Sequence, residues 1–211
     1  MKINFGKIFR TLSLSAALMT GTTMTVSGQG LTIVTHGWDW PTDPNGGYML
    51  WTNTMANSIY TATPSWSAKA YHWSFSWTLS TSPYDPSPIS GNKGSNTWTP
   101  SEALDNGRAL GKYMADQVNL NQYNAIHLIG HSAGTGLIAA YAQELRARGY
   151  DGIIQLTSLD AYTPDAASIT NLTQAKTGGN LIEHYHADDV SSLISNTDED
   201  IPGAQNYKCH Q

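Results

Sequence analysis

The sequence predicts an α/β fold, with a mostly parallel central sheet covered by helices on both faces. Three observations lead there. Short apolar runs alternate with amphipathic helical segments from residue 31 to residue 186. Those runs are nearly uninterrupted, as strands buried on both faces require. A chain of 211 residues, 40% of them hydrophobic, can close the core of a single domain without disulfides or metals.

Taken in order, Leu31-Thr32-Ile33-Val34-Thr35 reads as a buried strand that runs into the turn-prone segment His36-Gly37-Trp38-Asp39-Trp40-Pro41. Tyr48, Trp51, Met55 and Ile59 recur at helical spacing. Tyr71, Trp73, Phe75 and Trp77 alternate with polar residues, as a strand does. Residues 81–94, dense in Pro, Ser, Gly and Asn, read as an excursion loop. Thr99-Pro100-Ser101-Glu102 is a capping box with proline at the first helical position. Ala103, Gly107, Leu110, Met114 and Val118 then fall on one face of the helix it opens. Ala125-Ile126-His127-Leu128-Ile129 is the next strand. Leu137, Ala140, Tyr141 and Leu145 mark a helix that Arg146, Arg148 and Gly149 close. Residues 152–159 and 181–186 supply two further strands, and residues 204–209 a candidate last one.

Between a strand and a helix lies Gly130-His131-Ser132-Ala133-Gly134. A G-x-S-x-G sequence has little meaning alone, but in this setting it predicts a nucleophile elbow and with it the α/β-hydrolase fold. The turn is so tight that the serine takes strained backbone angles and its neighbours cannot carry large side chains. Ser132 is then the expected nucleophile. The N–H of Ala133, at the start of the helix, is aimed where an oxyanion would develop. A second oxyanion donor is expected on the loop after an earlier strand, where His36-Gly37-Trp38 stands.

His36-Gly37-Trp38 after a buried strand, the Gly130 to Gly134 motif, and Thr157-Ser158-Leu159-Asp160-Ala161 together resemble successive motifs of the pancreatic-type lipase family. The resemblance spans residues 33–161. It implies an acyl-enzyme mechanism with Ser132 as nucleophile, Trp38 and Ala133 as oxyanion hole and Asp160 as acid. The chain departs from the family at Ala161, where proline is usual. Its single cysteine also admits neither the disulfides nor the cysteine-bounded lid of the vertebrate members. The resemblance therefore implies a lipase-like ester hydrolase without implying a preference for triglycerides.

Independently of any family, Asp160 ends the strand that follows the nucleophile helix, where its carboxylate can meet a histidine beside Ser132. Asp188 and Asp189, at the end of the next strand, are its rivals. The base must follow the last strand, and His210 is the only histidine beyond Asp189. As the penultimate residue it has nothing after it to fix the imidazole, and orientation is much of what a triad supplies. Two readings follow: His210 is the base, or the chain is truncated at its C terminus and the base lies beyond Gln211.

His184 and His186 share a strand face with Asp188 at a spacing that suits Zn²⁺, but two histidines on one strand are more commonly packing residues, so no metal site is expected. His127 reads as core and His131 as packing or pocket lining. All seven tryptophans lie between Trp38 and Trp98. Most suit the core, while Trp38, Trp40 and Trp98 fall in or beside loops, where they suit an acyl pocket or stacking on sugar rings.

Lys2, Lys7 and Arg10 precede an uncharged stretch over residues 11–26 and small residues through Gly28, the layout of a secretory signal peptide. Residues 29–211 would then form the mature domain, secreted or periplasmic. The uncharged stretch is too interrupted by polar residues for a membrane span, so no stable membrane anchor is expected. Removing residues 1–28 takes away three cations and no acid, moving the net charge from −5 to −8, which disfavours nucleic acid as a partner. Cys209, the only cysteine, reads as a small structural residue.

Two functions are compatible with these residues. The first is hydrolysis of small-molecule or lipid esters through an acyl-enzyme on Ser132, without cofactor; a peptidase, thioesterase or acyltransferase would use the same triad. The second is a secreted, non-catalytic carbohydrate-binding module that keeps a hydrolase fold without a working triad.

Overall fold

A computed structural model describes residues 29–38, 50–71, 99–119, 122–176, 181–187 and 200–209. The elements run β1 (Gln29–Thr35), α1 (Leu50–Ala62), β2 (Trp66–Tyr71), α2 (Pro100–Gln117), β3 (Tyr123–His131), α3 (Gly134–Ala147), β4 (Ile153–Leu159), α4 (Ala166–Lys176), β5 (Leu181–Ala187) and β6 (Gln205–Cys209). All six strands join one sheet in the order β2-β1-β3-β4-β5-β6, and every pairing is parallel.

That order has a functional meaning. From β1 the chain steps outward to β2, then crosses back over β1 to lay β3 on its other side and continues to β6. The connections leaving β1 and β3 therefore diverge. In an open parallel sheet such a switch point leaves a crevice at the carboxyl ends of the two strands, and ligands bind there.

Helices cover both faces. On one, α2, α3 and α4 bury Leu31, Ile33, Ile126, Leu128, Ile154, Leu156 and Ile182. On the other, Trp51, Met55, Ala56 and Ile59 of α1 pack with Val34, Ile129, Leu159 and Tyr185. The two sets alternate along each strand, as the pleat demands. Helices α2 and α3 approach closely because glycine stands at the contact. A Cβ on Gly111 would collide with the Leu137 carbonyl, and one on Gly136 would lie 2.6 Å from Leu104 Cδ1.

The helix ends follow their sequence signals. Thr99 accepts the Glu102 N–H at 3.2 Å ahead of Pro100 at the start of α2. Helix α3 closes with Gly149 at φ +86°, where the Gly149 and Tyr150 N–H groups return to the carbonyls of Arg146 and Leu145, each at 3.0 Å. This is a Schellman closure, and the left-handed angle is why glycine stands there.

Three elements differ from expectation. The second strand begins at Trp66, ahead of the Tyr71 to Trp77 alternation that was expected to form it. Trp66 is paired with Gly30 and its indole occupies the space a side chain at that glycine would need, so packing across the strands fixes the register. Val118 is the C-cap of α2 in extended conformation, not a helical residue. Helix α4 was not anticipated. It has a weak apolar stripe, but Asp165 announces it by accepting the Ser168 N–H at 2.8 Å and the Ser168 hydroxyl at 2.7 Å.

Strand β6 forms where a last strand was expected. Tyr207 stacks on Tyr185 with ring centroids 4.8 Å apart, and Asn206 ties the strand to the buried Ile201 through its backbone N–H and carbonyl. Residues 1–28, Asp39, Trp40, Tyr48, residues 72–98, Asp188, Asp189 and His210 lie outside the described residues. Among the described residues no helix is long and apolar enough to cross a membrane.

Candidate active site

The carboxyl ends of β1 and β3, which flank the switch point, carry His36-Gly37-Trp38 and Ser132. Ser132 sits at φ +50°, in the left-handed region, between the last residue of β3 and the first turn of α3. For a residue with a side chain this conformation costs roughly 1–2 kcal/mol. Four hydrogen bonds to the serine's own backbone offset it. Its N–H donates to the Leu159 carbonyl at 2.9 Å. Its carbonyl accepts the Thr135 N–H at 3.1 Å, the Tyr162 N–H at 3.3 Å and the Thr135 hydroxyl at 2.7 Å. At about 0.5–1.5 kcal/mol each, they outweigh the strain.

The motif's two glycines are required by contact. A Cβ at Gly130 would lie 2.8 Å from the Gly134 carbonyl oxygen, and one at Gly134 would collide with the His36 carbonyl. The elbow and the loop after β1 are thus pressed together. Gly37 is the closest point: a Cβ there would stand 2.6 Å from Ser132 Cβ, 2.8 Å from the His131 carbonyl oxygen and 3.1 Å from Ser132 Oγ. Only a glycine lets this backbone reach the serine, and Trp38 follows immediately. The Trp38 side chain is half-buried against the main core. On the other side, Ala133 is fully buried, and no backbone carbonyl among the described residues accepts its N–H.

Asp160 directly follows β4. His131 and Leu159 are register partners, so Asp160 occupies the position beside Ser132 at the carboxyl end of the sheet. It also takes a left-handed conformation, φ +51°, which aspartate tolerates better than most residues. Its N–H donates to the Tyr185 carbonyl at 2.6 Å, and the residues around it, Leu159 and Tyr162, are those that hold the Ser132 backbone. Ser132, Ala133, Gly37 with Trp38, and Asp160 therefore converge on one end of the sheet. The rivals Asp188 and Asp189 and the candidate base His210 follow β5 and β6 in the chain but lie outside the described residues.

His184, His127 and His131 have structural surroundings. His184 is fully buried on the face under α2 to α4, its Nδ1 3.2 Å from Ser158 Oγ. His127 Nε2 lies 2.8 Å from Thr157 Oγ1 on the opposite face. His131 meets Trp51 edge-on at 5.8 Å between ring centroids. No group of three His, Cys, Asp or Glu among the described residues is arranged to hold a metal ion.

Burial pushes the pKa of both His127 and His131 down to about 4. Each is neutral in the folded chain at a pH where it would be charged when unfolded. The unfolded state therefore binds more protons between pH 6.5 and about 4, and stability falls as pH drops through that window. Burial raises the pKa of Glu183, so this carboxyl works in the opposite sense, which makes a difference between variants the clean measure. Going from about pH 7 to about pH 5 should cost the wild type about 1–2 kcal/mol more than His127→Asn, read as a smaller Tm shift in the variant. Equal shifts in the two proteins would mean that His127 protonates freely.

Two participants carried no clear signal in the sequence. Thr135 and Tyr162 both hold the Ser132 carbonyl, and a threonine three residues after the serine was the only hint. No protein-family model matches the chain, and no curated protein matches it.

Proposed function

We propose that this chain is an exported serine ester hydrolase of the α/β-hydrolase fold, similar in its motifs to pancreatic-type lipases. The observation that carries the reading is the left-handed Ser132 at a strand-to-helix elbow, with the Gly37 backbone against its Oγ at the switch point of a parallel sheet. A glycine-rich turn whose serine merely capped a helix would not need a strained serine. Here α3 has no side-chain cap at all.

In the mechanism, Ser132 Oγ attacks the ester carbonyl while an imidazole takes its proton. The carbonyl oxygen becomes an oxyanion, held by the N–H groups of Ala133 and Trp38. The tetrahedral intermediate collapses with the alcohol leaving, protonated by the imidazolium. Water then attacks the acyl-serine by the same route and releases the acid. Asp160 orients the imidazole and stabilises its charged form. His210 is the histidine assigned to this role by chain order, Ser then Asp then His. The substrate is a small-molecule or lipid ester, and no cofactor takes part.

A fluorophosphonate probe tests the reading directly. It should label the wild-type protein with one adduct, on the peptide that contains Ser132. A folded protein that stays unlabelled would instead point to a carbohydrate-binding module on a hydrolase-like scaffold.

A further inference from the structure

We infer that Thr135 is a positioning residue for the oxyanion hole, acting through the peptide bond between Ser132 and Ala133. This rests on the hydrolase reading above. The N–H of Ala133, which that reading assigns to the oxyanion, and the carbonyl of Ser132 belong to one planar peptide unit. That carbonyl accepts three hydrogen bonds, from the Thr135 N–H, the Tyr162 N–H and, shortest of all at 2.7 Å, the Thr135 hydroxyl. A carbonyl has two lone pairs, so three donors saturate it.

Two consequences follow from the planarity. Donors that fix the direction of the carbonyl also fix the opposite direction of the N–H, which aims Ala133 at the developing charge. Donors that draw electron density onto the oxygen leave the nitrogen more positive, and the N–H becomes a stronger donor through hydrogen-bond cooperativity. The N–H groups that supply two of the three bonds come from the backbone and would survive most substitutions. The hydroxyl is the one contribution that depends on side-chain identity, and Thr135 is buried, with 1% of its surface exposed. Threonine in a first helical turn often bonds the carbonyl three residues back as a simple matter of local satisfaction. What distinguishes this instance is that the carbonyl is the far end of the proposed oxyanion donor.

The test uses kcat and KM on a short p-nitrophenyl ester, together with the affinity for phenylboronic acid. The boron of that probe accepts Ser132 Oγ to form a tetrahedral, negatively charged adduct. Thr135→Val keeps the shape and deletes the hydroxyl. It should lower kcat about tenfold and weaken boronate binding by a similar factor, with KM changed less than about twofold. Thr135→Ser, which returns the hydroxyl, should restore kcat to within about twofold of wild type. Should valine prevent folding, Thr135→Ala removes the same hydroxyl with less bulk and carries the same expectation.

Wild-type kcat in the folded hydroxyl-free variant would overturn the inference while leaving the hydrolase reading intact. So would a serine variant as slow as valine, which would make the effect one of shape. A wild-type protein that neither turns over the ester nor binds the boronate removes the hydrolase reading, and the role of Thr135 with it.

Discussion

Ser132→Ala should reduce hydrolysis of a short p-nitrophenyl ester by about 10⁶-fold, leaving only the residual rate that binding and the oxyanion donors support. Without Oγ there is no acyl-enzyme, and the remaining groups can only bind and polarise the ester. The fold should be unaffected, because serine and alanine bear the same Cβ and pay a similar cost at φ +50°. The backbone hydrogen bonds from and to residue 132 do not involve its side chain, so the elbow keeps its restraints. The measurement is steady-state turnover beside a thermal melt. A variant with an unchanged melt and undiminished turnover would remove Ser132 from the chemistry.

Asp160→Asn should lower kcat by about 10⁴-fold. An amide can accept a hydrogen bond from imidazole, but it carries no charge to stabilise imidazolium and permits the wrong tautomer. Asparagine is the informative substitution because it adopts the left-handed conformation of residue 160 as readily as aspartate, and the bond from its N–H to Tyr185 is retained. A loss of activity is then a loss of charge rather than of structure. Asp188→Asn and Asp189→Asn should be mild by comparison, within about tenfold of wild type. The opposite ranking would move the acid to the end of β5 and would set aside the likeness to pancreatic-type lipases.

Much of the candidate site's geometry is legible in the sequence because it is local. A strand, a pentapeptide and a helix are contiguous from residue 123 to residue 147, and each leaves its own mark: an apolar run, paired glycines, a 3.6-residue stripe. The parallel order of the strands follows in the same way from their alternation with helices. What was not legible depends on contacts between distant segments. The start of β2 is set by Trp66 against Gly30, a fit between residues 36 positions apart that no local window can register. Helix α4 carries only a weak apolar stripe, and its cap at Asp165 is the clearer mark of it. The proximity of Gly37 to Ser132 has the same character, since His-Gly-Trp says little until the topology brings β1 beside β3.

The residues that grip Ser132 from β4 and its following loop do so with a carbonyl and an amide, groups that every non-proline residue possesses. The spatial relation of Ser132 and Asp160 is consequently carried by strand register and backbone hydrogen bonds. Side chains along β3 and β4 can change only within what the core and Gly130 permit, and a slip of one position in the pairing of His131 with Leu159 would dismantle the whole arrangement at once. On the hydrolase reading proposed above, such a scaffold would separate inheritance of the reaction from inheritance of its substrate. The loops beyond the strand ends could then be rewritten for a new ester while the interior that positions Ser132 and Asp160 stays as it is.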